Sequence, residues 1–186
     1  VRHAQILLIV SAIWVASEIV VGLVKRARSD SSRKDRGSLY LLWAVIGLSI
    51  YLGSRFAVTM RGARIPFDTF WIGIALIIIG IVVRAIAIAT LWRYFTVNVA
   101  IARDHELIDR GIYSVIRHPA YTGSILSFIG LGLAFRNWLS LALIAVATIA
   151  ALAYRVHVEE AALIEHFGDR YRDYMKRTKR FVPGVI

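Results

Sequence analysis

The sequence predicts an all-α, polytopic membrane protein with about five transmembrane helices and a C-terminal amphipathic helix on the cytoplasmic side. Three observations predict it. Apolar residues make up 58% of the 186, and the mean hydropathy is +0.64, whereas soluble domains are about 45–50% apolar. A formal net charge of +11 accompanies that hydrophobicity, so the charges must be segregated from the apolar residues, as in a membrane protein with basic loops. The apolar residues also gather into runs near the ~20 residues that a transmembrane helix needs. The length allows one domain, divided into two N-terminal transmembrane helices (1–66) and a core (67–186) that holds most of the chemistry-bearing residues.

The first run, Ala4 to Val24, has Glu18 as its one charge. It is too long for a signal-peptide core and no small-residue cleavage site follows it, so it is expected to be a retained helix. Leu39 to Val58 is the second run, with Arg55 near one end. Phe67 to Leu91 is the longest and contains Arg84. Tyr121 to Phe135 and Trp138 to Val156 flank Arg136-Asn137, a break long enough only for a tight helical hairpin. The fourth run is short, and residues N-terminal to it are expected to extend the helix. In the tail, Phe167, Tyr171 and Tyr174 follow helical spacing among Arg170, Arg172, Lys176 and Arg177. This predicts an interfacial amphipathic helix, able both to anchor at the membrane and to cap a pocket.

Basic residues cluster in Lys25–Ser38, in Arg93–Pro119 and in the tail from Arg155, while Arg2, Arg55, Arg61, Arg64 and Arg136 lie on the other side. The positive-inside rule then places the N-terminus outside and the C-terminus in the cytoplasm. That alternation requires an odd number of spans. Charges beside transmembrane helices are accounted for by topology and anionic headgroups, so membrane lipids rather than nucleic acid are the expected partners. The absence of cysteine excludes a disulfide framework, a thiolate metal site and a cysteine nucleophile. His105, His118, His157 and His166 have no i,i+4 histidine partner and no HExxH pattern, so no metal is expected. There is no GxSxG, P-loop or GxGxxG sequence to support a hydrolase, NTPase or Rossmann reading.

The polar residues concentrate in three clusters: Asn98 to Tyr121, Arg155 to Glu160, and the tail from Phe167. In the first, Asp109-Arg110-Gly111 reads as a turn, and Arg117-His118-Pro119 opens the fourth helix with proline in its first turn. The unpaired N–H groups of that turn, with Arg117 and His118 beside them, form either a site for an anion such as an amino-acid carboxylate or a basic anchor on lipid phosphate. In the second, Arg155 and Glu159 are four apart and share a helix face, while Glu160 points roughly 100° away. Glu159 is placed either to grip an ammonium group or to close the helix in an ion pair with Arg155. Arg84 lies ~10 Å from the end of the third helix. A charge within a span is a functional candidate by default, and snorkelling is the structural alternative.

Read together, the clusters resemble the isoprenylcysteine carboxyl methyltransferase family and its relatives, the phospholipid N-methyltransferases. The resemblance is carried by His105-Glu106-Leu107-Ile108, Gly111-Ile112-Tyr113, Arg117-His118-Pro119-Ala120-Tyr121-Thr122-Gly123, Glu159-Glu160, Phe167-Gly168-Asp169-Arg170-Tyr171 and Arg177 to Pro183, over roughly residues 84 to 186. It implies an S-adenosylmethionine pocket at the cytoplasmic interface, closed by the tail. By position within these motifs, Asn98, His105, Glu106, Leu107, Ile108, Tyr113, His118, Pro119, Ala120, Tyr121 and Glu159 would surround the cofactor. Asn98 stands where some members carry glutamine, keeping the amide on a shorter side chain. Arg155 would face the substrate, and Arg84 matches an arginine the family tends to carry before the pocket.

The resemblance thus implies a membrane methyltransferase acting on a lipophilic acceptor. The fourth helix's N-terminus would hold the cofactor's carboxylate, Glu159 its ammonium, and Tyr113 and Tyr121 its adenine or ribose. Positioning for in-line displacement would supply most of the catalysis. A carboxylate acceptor needs no base and would be oriented by Arg155 or Arg84. An amine acceptor must lose a proton first, with Glu160 and His118 as candidate bases. Protein-S-isoprenylcysteine carboxyl O-methylation is the leading expectation and phosphatidylethanolamine-type N-methylation the alternative. An NADPH-dependent sterol-type reductase shares the C-terminal motifs but is usually much longer, and a non-enzymatic scaffold is opposed by the intact Arg84, Arg155 and Glu159 set. Gly73, Gly80, Gly130 and Gly132 permit close helix packing without forming a GxxxG pattern.

Overall fold

The computed structural model describes residues 2–24, 32–33, 37–97, 100–101 and 106–182. Among these, six α-helices follow one another: α1 (Arg2–Val24), α2 (Ser38–Thr59), α3 (Phe70–Leu91), α4 (Pro119–Ala134), α5 (Trp138–Phe167) and α6 (Asp169–Arg177). Two two-residue strands, β1 (Ser32–Arg33) and β2 (Ala100–Ile101), pair antiparallel and join the connections that follow α1 and α3. Helices α1, α2, α3 and α5 are each long and apolar enough to cross a membrane. Their outer faces carry large apolar side chains such as Leu8, Tyr40, Tyr51 and Val58, all more than half exposed. That is the surface of an integral membrane protein, covered by lipid rather than water.

Two boundaries differ from the sequence expectation, and both matter for the site. Residues N-terminal to Tyr121 do not extend the fourth helix beyond Pro119. Pro119 takes the first helical position, and His118 before it has φ −123° and ψ 54°, outside the α region as a residue preceding proline prefers. At 16 residues, α4 rises only about 24 Å, short of the ~30 Å hydrocarbon core. Conversely, α5 continues well past Val156 to Phe167, because Glu159, Glu160, Ala161 and Ala162 are good helix formers even though the apolar run has ended. Gly168, at φ 58°, ends it and turns the chain into α6.

Helices α3 and α4 pack antiparallel at very close range. A Cβ on Gly130 would stand 2.6 Å from Gly73 O, and one on Gly123 would stand 2.5 Å from Gly80 O. Lipid removes the hydrophobic drive for helix association, so close packing and interhelical hydrogen bonds such as Ser127 Oγ to Ile77 O at 3.3 Å hold the pair. The α4–α5 hairpin turns at Arg136, a non-glycine residue at φ 54°. Asn137 then caps α5, its Oδ1 accepting from the N–H groups of Leu139 (3.0 Å) and Ser140 (3.1 Å). The same side chain donates to Met60 O at 2.9 Å, tying the hairpin to the end of α2.

The crossing sets the depth of the site. Because Gly123 lies against Arg84, α4 begins opposite Arg84 while α3 continues to Leu91 and α5 runs on to Phe167. A recess therefore opens above the short helix, between the ends of two longer ones.

Candidate active site

The recess is a cavity. Its α3 side is formed by Leu91 and the turn after it, with Tyr94, Phe95 and Thr96. The segment leading into α4 contributes Glu106, Leu107, Ile108, Tyr113, Arg117, His118, Ala120 and Tyr121. From α5 come Arg155, Glu159, Leu163 and Phe167, and Tyr171 and Tyr174 of α6 close it. Asn98 and His105 lie outside the described residues. The structure therefore brings Glu106, Leu107, Ile108, Tyr113, His118, Ala120, Tyr121, Glu159 and Arg155 to one cavity, from the stretch that leads into α4 and from α5. The sequence reading missed Leu91, Tyr94, Phe95, Thr96 and Leu163. Leu163 was within reach, since Glu159, Leu163 and Phe167 repeat at four-residue intervals on one face of α5.

At the centre is a bridged trio. The Tyr121 hydroxyl donates to Glu159 Oε2 at 2.7 Å and accepts from Arg155 Nε at 3.1 Å. The direct Arg155–Glu159 ion pair expected as one alternative is replaced by this phenol. Arg155 is buried to 2% exposure, and its remaining nitrogens donate to Ser38 Oγ at 2.9 Å and to Val97 O. Ser38 is the first residue of α2, so the second helix helps to hold the cation in place.

Glu160 turns away from the cavity, as the 100° step predicts. It is buried to 3% exposure and accepts from Arg117 Nε at 3.0 Å and from Arg180 Nε at 3.1 Å and Nη2 at 2.8 Å, with His118 Nε2 at 3.3 Å. A carboxylate offers about four acceptor positions, and these contacts occupy them. Glu160, expected as a candidate base, is instead found away from the cavity with its acceptor positions engaged, joining the tail to the start of α4. The groups expected to form the helix-N-terminus anion site are also engaged within the protein. The N–H groups of Tyr121 and Thr122 both return to His118 O at 3.0 Å, and Arg117 and His118 are engaged with Glu160.

The tail is laid along the start of α4. Arg117 N donates to Lys179 O at 2.7 Å, Lys179 N to Val115 O at 3.2 Å and His118 N to Arg180 O at 3.0 Å. Tyr174 donates its hydroxyl to Tyr113 O at 2.6 Å. Tyr171, only 1% exposed, has a hydroxyl with no partner among the described residues. Burial, as the largest cause, raises the phenols of Tyr113, Tyr171 and Tyr174 well above the usual tyrosine value, so they stand as neutral groups.

Arg84 and Pro119 do not line the cavity. Pro119 is buried at the head of α4. Arg84 was expected to orient an acceptor, but its guanidinium is engaged with Glu18 of α1 at 2.5 Å and with Ala120 O at 3.2 Å.

Residues 69–170 match the family model described as phospholipid methyltransferase. The chain belongs to the phospholipid methyltransferase family. The match runs from the start of α3 into α6 and so contains most of the cavity, leaving α1 and α2 outside it. Among relatives of the family, protein-S-isoprenylcysteine O-methyltransferase B of Arabidopsis thaliana is 35% identical over 121 residues, covering 62% of this chain and 61% of that protein. The protein-S-isoprenylcysteine O-methyltransferase of Schizosaccharomyces pombe is 29% identical over 171 residues, covering 84% and 72%. The solved structure of the eukaryotic intramembrane Ras methyltransferase, an isoprenylcysteine carboxyl methyltransferase, superposes with a TM-score of 0.66 at 26% identity, over 77% of this chain and 52% of that one. The chain thus spans about three-fifths of the Arabidopsis relative's length and about half that of the solved protein.

Proposed function

We propose that this protein is an integral membrane methyltransferase that takes its methyl group from S-adenosylmethionine and delivers it to a carboxylate on a lipophilic acceptor of the isoprenylcysteine kind. The observation that supports this most directly is the Tyr121 bridge, which sets the carboxylate of Glu159 and the guanidinium of Arg155 side by side in a cavity at the ends of apolar helices.

The donor set suits the cofactor. Glu159 and Glu106 offer carboxylates for its ammonium group. Tyr94, Phe95, Tyr113 and Tyr174 offer aromatic surface for adenine, and the Tyr171 hydroxyl, without a partner among the described residues, offers a hydrogen bond. When bound, S-adenosylmethionine supplies a methyl group already activated on a sulfonium. What the chain supplies is position. Arg155, fixed by Ser38, Val97 and Tyr121, holds a charged acceptor in one orientation, while the apolar walls at Leu91, Phe95, Leu107, Ile108 and Leu163 receive its hydrocarbon portion and exclude water. A carboxylate acceptor reacts as the anion and needs no base, which agrees with a Glu160 whose acceptor positions are taken. The basic tail argues for a cytoplasmic C-terminus and a cavity on that side. N-methylation of a phosphatidylethanolamine-type amine is the second reading, supported by the family description.

Calorimetry on detergent-purified protein tests this, with S-adenosylhomocysteine and NADPH run separately against wild type and Glu159→Ala. Micromolar binding of S-adenosylhomocysteine, abolished in the variant, is expected. Binding of NADPH alone would replace the reading with a reductase, and binding of neither by folded protein would leave a scaffold. Acceptor assays with a prenylcysteine and a phosphatidylethanolamine then separate the two acceptor classes.

A further inference from the structure

Two charges that lipid disfavours meet inside the structure. Glu18 is the one acidic residue of α1, and Arg84 is the one charged residue of α3. An unpaired charge within a span is costly, and here each supplies the other's partner. The contact is bidentate, Arg84 Nε to Glu18 Oε1 at 2.5 Å and Nη2 to Oε2 at 2.8 Å, with the side chains 15% and 19% exposed. This fork-to-fork geometry fixes the guanidinium plane.

The third nitrogen points the other way. Arg84 Nη1 donates to Ala120 O at 3.2 Å and to Ser124 Oγ at 3.3 Å. Both acceptors belong to the first turns of α4. Ala120 lines the cavity, and Tyr121 beside it carries the hydroxyl that joins Glu159 to Arg155. Gly123 permits the approach, since a Cβ there would stand 2.8 Å from Arg84 N. An arginine free at this depth would extend toward the end of α3, ~10 Å away. Glu18 holds it back, over α4.

We infer that Glu18 is a positioning residue of the site: through Arg84 it fixes the first turn of α4, and with it the Ala120–Tyr121 wall of the cavity. This rests on the methyltransferase reading proposed above. It gives α1, which lies outside the family match at residues 69–170, a part in the site, and it makes Arg84 a positioning residue rather than a catalytic one.

The test separates positioning from simple anchoring of α1. Full-length wild type, Glu18→Gln, the charge exchange E18R/R84E and Trp14→Leu are compared for S-adenosylhomocysteine affinity and for unfolding temperature. Trp14 packs α1 on Phe128 of α4 with ring centroids 4.7 Å apart and supplies no hydrogen-bonding side chain to the Glu18–Arg84 pair. Glu18→Gln is expected to weaken binding about tenfold, in line with loss of charge-assisted hydrogen bonds. Trp14→Leu is expected to lower the unfolding temperature while leaving affinity within about twofold. The exchange is expected to recover stability without recovering affinity, because the guanidinium no longer stands over Ala120. Affinity that follows stability across all the variants, or that is unchanged in folded Glu18→Gln, overturns the inference alone. Absence of binding by folded wild type overturns the methyl-donor reading itself, and the inference falls with it.

Discussion

Glu159 receives its hydrogen bond from Tyr121, 38 residues earlier in the chain, at 2.7 Å, and that single phenol also receives Arg155. The order matters chemically. A direct ion pair would let the two charges neutralise each other. With a hydroxyl between them, both charges are held in fixed orientation on the cavity wall. Tyr121→Phe removes the bridge and strands the buried Arg155 Nε donor, a penalty of about 1–3 kcal/mol. S-adenosylhomocysteine affinity should fall about tenfold, each tenfold being about 1.4 kcal/mol. Titration calorimetry reads this, and an unchanged affinity would show that the bridge does not shape the binding surface.

Much of this arrangement is legible in the sequence, for identifiable reasons. Hydropathy locates the four helices long and apolar enough to cross a membrane, because lipid requires long uninterrupted runs, and the shorter apolar α4 beside them. Helical geometry separated Glu159 from Glu160, since adjacent residues differ by 100° in direction, and the two side chains do part, one into the cavity and one behind it. What could not be read was which distant charge each would meet. Arg84 and Glu18 are 66 positions apart, and Ser38 reaches Arg155 across 117. Such pairings depend on how α1 and α2 dock, which local pattern does not encode. The late start of α4 was readable from Pro119, but its consequence, a recess between two longer helices, required the α3–α4 crossing to be known.

Tyr171 and Tyr174 make opposite predictions from neighbouring positions. Tyr174 holds Tyr113 O at 2.6 Å, so Tyr174→Phe leaves a buried carbonyl short of a donor and should destabilise the protein by about 1 kcal/mol. The Tyr171 hydroxyl has no partner among the described residues, so Tyr171→Phe should leave the ligand-free unfolding temperature unchanged or higher. In ligand binding the order reverses, with Tyr171→Phe losing affinity for S-adenosylhomocysteine. Thermal unfolding with and without ligand distinguishes the two, and a loss of ligand-free stability in Tyr171→Phe would indicate that its hydroxyl is satisfied within the protein.

The same tyrosines set an alkaline limit. Burial raises Tyr113, Tyr171 and Tyr174 above the ordinary phenol value. For a group whose folded-state pKa is raised, the contribution to stability is complete below the unfolded pKa and is lost as pH rises toward the folded one. The unfolding temperature should therefore begin to fall above about pH 10, where tyrosines of the unfolded chain ionise. The decline should be shallower in Tyr171→Phe.

Glu160 gathers Arg117, His118 and Arg180 around one buried carboxylate. Glu160→Gln removes the anion and leaves buried Arg117 uncompensated, a change expected to cost about 3 kcal/mol. Arg180 is 45% exposed and contributes less to that figure. The tail should loosen first. Hydrogen exchange at Lys179 N–H, which is bonded to Val115 O, should accelerate more than exchange in the middle of α5. Uniform acceleration along the chain would show instead that Glu160 supports the whole fold rather than the tail.

Glycine substitutions should divide sharply by place. Gly22 in α1 and Gly47 in α2 have open space where a Cβ would stand, so alanine there removes backbone freedom without a clash and should stabilise the helix by up to about 1 kcal/mol. At Gly123 the Cβ would lie 2.5 Å from Gly80 O and 2.8 Å from Arg84 N, and at Gly130 it would lie 2.6 Å from Gly73 O. These are backbone atoms of a neighbouring helix, so relief requires α3 and α4 to separate. Overpacking of this kind costs about 1–3 kcal/mol. Separation at Gly123 would also lift Arg84 from Ala120, so Gly123→Ala should lose S-adenosylhomocysteine affinity beyond its loss of stability. Gly130→Ala, two turns further from the cavity, should lose stability with affinity largely kept. Measuring both quantities for both variants shows whether the crossing angle or the Arg84 contact governs the cavity wall, and equal losses of affinity would assign it to the crossing.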